Sequence, residues 1–120
     1  MKRVVLIDDL SSVLEVLQEM FIRCGVHCVA VTTAEDGLQA LQAPGDWRLV
    51  TDFRLGKDTT GLDVIGRAKQ VGYTDRAAIV SGELTSCLME IDGVPTKVWS
   101  KPLGMGQVRA IIAWLFPSGC

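Results

Sequence analysis

The chain has one histidine and four cysteines with no Cys-x-x-Cys pair among them, so it lacks the ligand set of a zinc site. Cys24, Cys28, Cys87 and Cys120 are read as buried or idle thiols of a reducing cytoplasm. Long hydrophobic runs are missing too. The longest, Ala110 to Phe116, has seven residues, against the roughly 20 that cross a bilayer. No direct membrane contact is expected. The basic start, Met1-Lys2-Arg3, meets Asp8-Asp9 after four apolar residues, which leaves no room for a signal-peptide core and points to the cytoplasm. Charge of one sign is also scarce. Twelve basic side chains face 14 acidic ones, for a net charge of −2, and no basic stripe offers a footprint for nucleic acid.

What is present is apolar material, 48% of 120 residues. That suffices for the core of a single domain over residues 1–120 and leaves no length for an output domain. There is no repeat, linker or low-complexity tract. Short β-branched runs alternate with stretches of helical period, the pattern of βα units around a parallel sheet. The strands are read as Val4–Ile7, His27–Val31, Leu49–Thr51, Ala77–Val80 and Thr96–Trp99, all hydrophobic enough to be covered on both faces. His27 is read as a strand residue.

Five helices are expected between and after them. The first turns Val13, Leu17, Met20, Phe21 and Cys24 inward, opens on a capping box at Ser12-Val13-Leu14-Glu15 and stops at Gly25. A second capping box, Thr32-Thr33-Ala34-Glu35, opens a short helix that buries Leu38 and Leu41 and closes at Pro44-Gly45. The third begins near Gly61, buries Leu62, Ile65 and Ala68, carries Arg67 and Lys69 on a solvated face and ends at Gly72. The fourth has only Leu84 to Ile91 before Gly93 and Pro95, so it is brief or frayed. The last runs from Met105 to Phe116 over Val108, Ile111, Ile112 and Leu115, and Pro117-Ser118-Gly119 ends it.

Function in such a sheet gathers at the carboxyl ends of the strands. The first strand ends in Asp8-Asp9, the third in Asp52, the fourth in Ser81, and the fifth runs into Lys101-Pro102. Singly, each is an ordinary loop residue or cap. Together, three crowded carboxylates call for a hard divalent cation such as Mg²⁺ (or Mn²⁺), and the ammonium and hydroxyl suit phosphoryl oxygens. Asp52, on a central strand, is the candidate nucleophile for an aspartyl phosphate.

These motifs, Val5-Leu6-Ile7-Asp8-Asp9, Leu49-Val50-Thr51-Asp52, Val80-Ser81-Gly82 and Ser100-Lys101-Pro102, resemble those of the receiver domain of bacterial two-component response regulators. The resemblance covers the chain from its first strand to its last helix. It implies a flavodoxin-like (βα)5 fold with a five-stranded parallel sheet in the order 2-1-3-4-5. It implies that Asp52 accepts a phosphoryl group from a histidine kinase or histidine phosphotransfer protein, as a signalling module and not an enzyme acting on other substrates. Asp9, Asp52 and the backbone carbonyl of Arg54 would hold Mg²⁺, with Asp8 acting through a coordinated water. Ser81 would turn to the phosphate, Lys101 would pair with it, and Lys101-Pro102 would be cis. Asp52-Phe53-Arg54-Leu55 is similar to receivers of hybrid sensor histidine kinases, so both a stand-alone regulator and a receiver excised from a larger kinase fit.

Departures from the pattern carry their own expectations. Val98 stands where the family has an aromatic switch residue, followed by Trp99. The loop Gly56–Gly61 is slightly long and lacks a frequent proline, and the stretch from Ser81 to Lys101 is slightly short. Arg54 and Glu83 flank the phosphoryl position and are read as a pair that hinders the hydrolytic water. Val98, Trp99 and Trp114 are assigned to an output face of helix four, strand five and helix five, through which a homodimer would form. Two rival readings are a pseudo-receiver that binds a partner without phosphorylation and a metal-dependent aspartyl phosphatase. The latter is disfavoured because Asp52-Phe53-Arg54 lacks a second aspartate as general acid.

Overall fold

The structure, a computed structural model, describes residues 1–117. Helices cover both faces of a six-stranded sheet. The elements are β1 (Arg3–Ile7), α1 (Ser11–Arg23), β2 (His27–Val31), α2 (Ala34–Leu41), β3 (Trp47–Asp52), β4 (Arg54–Leu55), β5 (Thr59–Thr60), α3 (Gly61–Gln70), β6 (Ala77–Ser81), β7 (Cys87–Ile91), β8 (Val94–Ser100) and α4 (Met105–Leu115). The main sheet runs β2-β1-β3-β6-β8-β7, and its first five members are parallel. The expected order of five parallel strands is therefore present, with one further strand added.

Strand alternation explains why these runs are almost wholly apolar. Val4 and Leu6 point to one face, where they meet Leu14, Leu17 and Phe21 of α1 and Val108, Ile111 and Leu115 of α4. Val5 and Ile7 point to the other, against Ala34 and Leu38 of α2 and Val64, Ile65 and Ala68 of α3. β2 departs most from the expected burial: as an edge strand it leaves His27 exposed and Val29 to Val31 half-buried, while in β8 Lys97 is half-buried.

The helix starts differ in detail from the sequence reading. The Ser12 capping box does not form, because the helix begins at Ser11 with Leu10 as its unassisted cap. The Asp8 carboxylate takes the Leu10 N–H instead (3.0 Å). In α2 the cap is Thr33, whose hydroxyl accepts from Asp36 N–H (3.1 Å), one residue later than expected. Glu35 is thereby free to reach Arg67 of α3 (3.2 Å), which joins that residue to a neighbour. In α3, Thr60 and Asp63 form a capping box, Val64 takes the inward place expected of Leu62, and Leu62 stays 37% exposed. The end of α4 is held by side chains: Arg48 Nε donates to Leu115 O (3.0 Å), Arg76 Nη1 to Trp114 O (3.2 Å), and Trp114 Nε1 to Ala77 O (2.9 Å). These guanidiniums satisfy carbonyls that a helix terminus otherwise leaves open. Of the expected stop at Pro117-Ser118-Gly119, the last two residues lie outside the described residues, as does Cys120.

The largest correction concerns the fourth helix, which does not exist. Residues 87–91 form a strand antiparallel to β8, with five consecutive pairs from Cys87 with Val98 to Ile91 with Val94. The turn between them is Asp92-Gly93, with φ of 49° and 86°. Positive φ at both central residues is the two-residue turn whose twist matches a hairpin, and Asp-Gly is among its preferred sequences. Gly93 and Pro95 thus punctuate a hairpin and do not terminate a helix. Strand alternation sends Met89 and Ile91 toward the α3 face and leaves Leu88 exposed on the other.

Because a side chain at left-handed φ costs about 1–2 kcal/mol, Gly93→Ala is expected to lower the urea midpoint by a corresponding amount. Hydrogen exchange in dilute solution gives a second reading. In the hairpin, amides of Cys87, Met89 and Ile91 point at β8 and are protected, while those of Leu88 and Glu90 exchange quickly. Uniform protection across 87–91 would restore the helix.

Candidate functional site

Parallel strands deliver their last residues to a common rim, and here β1, β3, β6 and β8 end side by side. The structure brings together Asp8, Asp9, Asp52, Ser81 and Lys101. One carboxylate oxygen from each of Asp8, Asp9 and Asp52 lies within 4.8 Å of the others. Asp8 is 1% and Asp52 8% exposed, while Asp9 sits at the open side. Lys101 follows β8 across a cis peptide to Pro102, as expected. Its Nζ stands 2.9 Å from Asp52 Oδ1 and 3.5 Å from Asp8 Oδ2.

Backbone amides fix the carboxylates. Asp8 Oδ1 accepts from Leu10 N–H (3.0 Å), Asp52 Oδ1 from Phe53 N–H (3.0 Å), and Asp9 Oδ2 from Gly56 N–H (3.0 Å). Burial raises the Asp52 carboxyl above its ordinary pKa, against the hydrogen bond from Lys101; the charge of Asp8 adds to the rise. Burial also works against the charged form of Lys101, but its bonds to Asp52 and the charge of Asp8 more than offset that and hold its pKa above the ordinary value. The ammonium is the protein's own partial answer to the carboxylate crowding.

That answer is incomplete. Asp8 Oδ2 is buried and has no hydrogen-bond partner. A buried, unsatisfied carboxylate oxygen costs free energy, and here it belongs to a cluster of three acidic groups. The donor set is all oxygen, partly open to solvent through Asp9, and fits Mg²⁺ or Mn²⁺, which take one or two carboxylates and keep water in the remaining positions.

Ser81 is buried, and its Oγ accepts from the backbone N–H groups of Glu83 (3.0 Å) and Leu84 (2.9 Å). Its carbonyl accepts from Lys101 N–H (2.8 Å), which ties the two strand ends together. Arg54 and Glu83 meet at the rim in a two-pronged ion pair, Nε to Oε1 at 2.6 Å and Nη2 to Oε2 at 3.0 Å. The contact pushes the Glu83 carboxyl down and the Arg54 guanidinium up. Arg54 also lies over the Phe53 ring, 5.6 Å from its centre. Main-chain atoms of Arg54 belong to a small hairpin, Arg54-Leu55 against Thr59-Thr60, into which the slightly long loop folds.

The remaining assigned residues are elsewhere. Val98 is fully buried between the sheet and α3, Trp99 is 7% exposed in the α1/α4 core, and Trp114 is half-buried beneath Arg76, 4.2 Å from its ring centre. The face that helix four would share is built from β7 and β8. Cys28 is buried and its thiol pKa pushed up to about 12 by burial, an idle thiol as expected; Cys87 is exposed.

Gly61 is a site residue that sequence reasoning took only as a helix start. A Cβ there would lie 2.9 Å from Asp52 O and 3.1 Å from Thr51 Cγ2. The helix can therefore begin against the strand that carries Asp52 only if this residue is glycine.

Titrating the protein with Mg²⁺ by calorimetry tests the donor set. Asp8→Asn is expected to weaken binding by at least about tenfold. Lys101→Met is expected to strengthen it, since it removes a competing cation beside two of the carboxylates. Unchanged affinity in both variants would remove the cluster as the cation site.

No protein-family model matches the sequence, and no curated protein does. Solved structures match over nearly the whole chain. A response regulator receiver domain protein from Clostridium thermocellum is 16% identical with a TM-score of 0.80, covering 99% of this chain and 97% of its own. The receiver domain of a Francisella response regulator is 13% identical with a TM-score of 0.80 and full coverage of both chains. A response regulator receiver protein from Sinorhizobium medicae is 20% identical with a TM-score of 0.79, covering 98% and 95%. Together with the strand order, these matches show that the chain has the fold of response regulator receiver domains.

Proposed function

We propose that this chain is a phosphoacceptor in two-component phosphorelay signalling, with Asp52 as the accepting residue. The observation that carries the reading is the three-carboxylate cluster at the strand ends, with the Lys101 ammonium 2.9 Å from Asp52. A bound Mg²⁺ would be held by Asp9, Asp52 and the Arg54 carbonyl, with Asp8 in reach through water, and would neutralise charge on the phosphoryl oxygens.

The protein's own groups account for the rest. Asp52 Oδ1 is occupied by Phe53 N–H and Lys101, which leaves Oδ2 as the attacking atom. Oδ2 bonds to phosphorus as the phosphorus–nitrogen bond of a donor phosphohistidine breaks, and the imidazole leaves with that electron pair. Lys101 then pairs with a phosphoryl oxygen. A donor protein must approach from above the rim. Beside it lies an apolar groove lined by Val13, Val16 and Met20 of α1 with Pro102 and Leu103, so a histidine kinase or phosphotransfer protein meets a greasy surface next to the acid pocket.

Ser81 supplies the switch. Turning its hydroxyl to the phosphoryl group withdraws the acceptor that holds Glu83 and Leu84 N–H, and Leu84 O in turn accepts from Ser100 Oγ (3.1 Å). The segment released leads into β7. Phosphorylation thus acts on a hairpin where a helix was expected. The Arg54–Glu83 pair stands over the same opening and slows the approach of the hydrolytic water.

Incubation with acetyl phosphate and Mg²⁺, followed by intact-mass measurement, is expected to give a base-labile phosphoryl adduct on the wild type and none on Asp52→Ala. A wild-type protein that binds Mg²⁺ but takes no adduct would make this a pseudo-receiver; multiple turnovers on a phosphoester would make it a phosphatase.

Following the adduct over time addresses the ion pair. Arg54→Ala and Glu83→Ala are each expected to shorten its lifetime several-fold. Equal lifetimes in all three proteins would remove the pair from hydrolysis control.

A further inference from the structure

The two edges of the main sheet are treated differently. At the β2 edge the side chain of Gln18 covers the strand, its Nε2 donating to Cys28 O (2.9 Å). At the β7 edge no side chain among the described residues bonds to the backbone of Leu88 or Glu90. Hairpin geometry makes these two residues the ones that matter. The two-residue turn closes on Ile91 and Val94 as a hydrogen-bonded pair, so the pairs alternate and Glu90 with Pro95 and Leu88 with Lys97 are non-hydrogen-bonded. Pro95, with no N–H to donate, fits that place. The N–H and C=O groups of Leu88 and Glu90 therefore point away from β8 into solvent.

Edge strands in stable monomers are blunted by lysine, proline, a bulge or a covering element. Among the described residues β7 has no lysine, proline, bulge or covering element: its sequence is Cys-Leu-Met-Glu-Ile with Glu90 as its one charge, its five pairs with β8 are continuous, and Leu88 is 68% exposed. We propose that the β7 edge pairs antiparallel with β7 of a second copy of this chain, on a two-fold axis through Met89, joining two six-stranded sheets into one.

The strand's own sequence selects that register. An axis at Met89 overlaps all five residues and sets Leu88 opposite Glu90 of the second copy, a doubly hydrogen-bonded pair repeated on the other side of the axis. On the outer face Lys97, Leu88 and the second copy's Glu90 then lie in one row, so a cation and a carboxylate face each other across a leucine. An axis at Glu90 would oppose two like charges. The pairing does not depend on chemistry at Asp52.

Mass measurement by light scattering over a dilution series, with and without Mg²⁺, tests the dimer. The wild type is expected to shift to twice the monomer mass as concentration rises. Leu88→Pro removes an outward N–H without touching the β8 ladder and is expected to weaken the dimer at least tenfold. Disulfide capture on a Cys87→Ser background tests the register without relying on that variant. Met89→Cys, at a non-hydrogen-bonded pair about 4.5 Å across, is expected to cross-link to itself. Leu88→Cys alone is not, but it should cross-link when mixed with Glu90→Cys. A wild type that stays monomeric to millimolar concentration would overturn the proposal, as would self-capture of Leu88→Cys in place of Met89→Cys.

Discussion

Everything at the strand ends follows from placing three carboxylates within 4.8 Å of one another in a half-buried rim. At that separation like charges disfavour joint ionisation, and burial adds to the cost. The protein offsets part of it with Lys101 and with single backbone amides from Leu10, Phe53 and Gly56. It leaves Asp8 Oδ2 without a hydrogen bond, faced only by the Lys101 ammonium at 3.5 Å. Such a cluster costs stability as it stands, a cost that the proposed cation would relieve. The local fold is shaped to hold it: Asp8 takes the amide of Leu10, the residue that precedes α1 and has no side-chain acceptor to cap it, and α3 starts at a glycine because nothing larger fits beside Asp52.

Most of this was legible in the sequence. Continuous apolar runs located the parallel strands, and their acidic or hydroxyl ends located the rim, because in a parallel sheet strand order and strand direction together fix which termini become neighbours. Edge and cap details were less legible because they are settled by competition. Thr32 and Thr33 are both capping residues by type, and the structure uses Thr33 while Glu35 meets Arg67 on another helix, a contact no local pattern could reveal. The reading of 84–91 as a helix failed for a different reason. Asp92-Gly93 between alternating apolar residues is a hairpin signal, but a glycine and a proline after an apolar stretch also read as a helix stop. Local pattern alone favours neither.

The hairpin changes what can be transmitted from the rim. A helix laid across the sheet can tilt or slide as a rod, whereas β7 is tied to β8 by a continuous ladder and moves mainly where that ladder begins, at Cys87. Val98 and Trp99 are packed into opposite cores, so neither can swing outward without opening one of them. A signal that leaves by this side therefore has to travel through backbone, along the segment from Ser81 to β7.

Magnitudes show that such a route can behave as a switch. Ser81 Oγ now accepts two neutral backbone bonds, each worth about 0.5–1.5 kcal/mol net. A hydroxyl turned to a phosphoryl oxygen makes one charge-assisted bond, worth about 1.5–3 kcal/mol. The two sides are nearly equal, so neither arrangement is locked. A gap of about 1.4 kcal/mol changes the population tenfold, and the proposed phosphoryl group would supply a difference of that order only while it is present. Had Ser81 been unbonded in the resting protein, it would lie ready beside the phosphate but nothing would be released when it turned. Its two amide partners would make the proposed rotation consequential, because they belong to the segment that enters the open edge of the sheet.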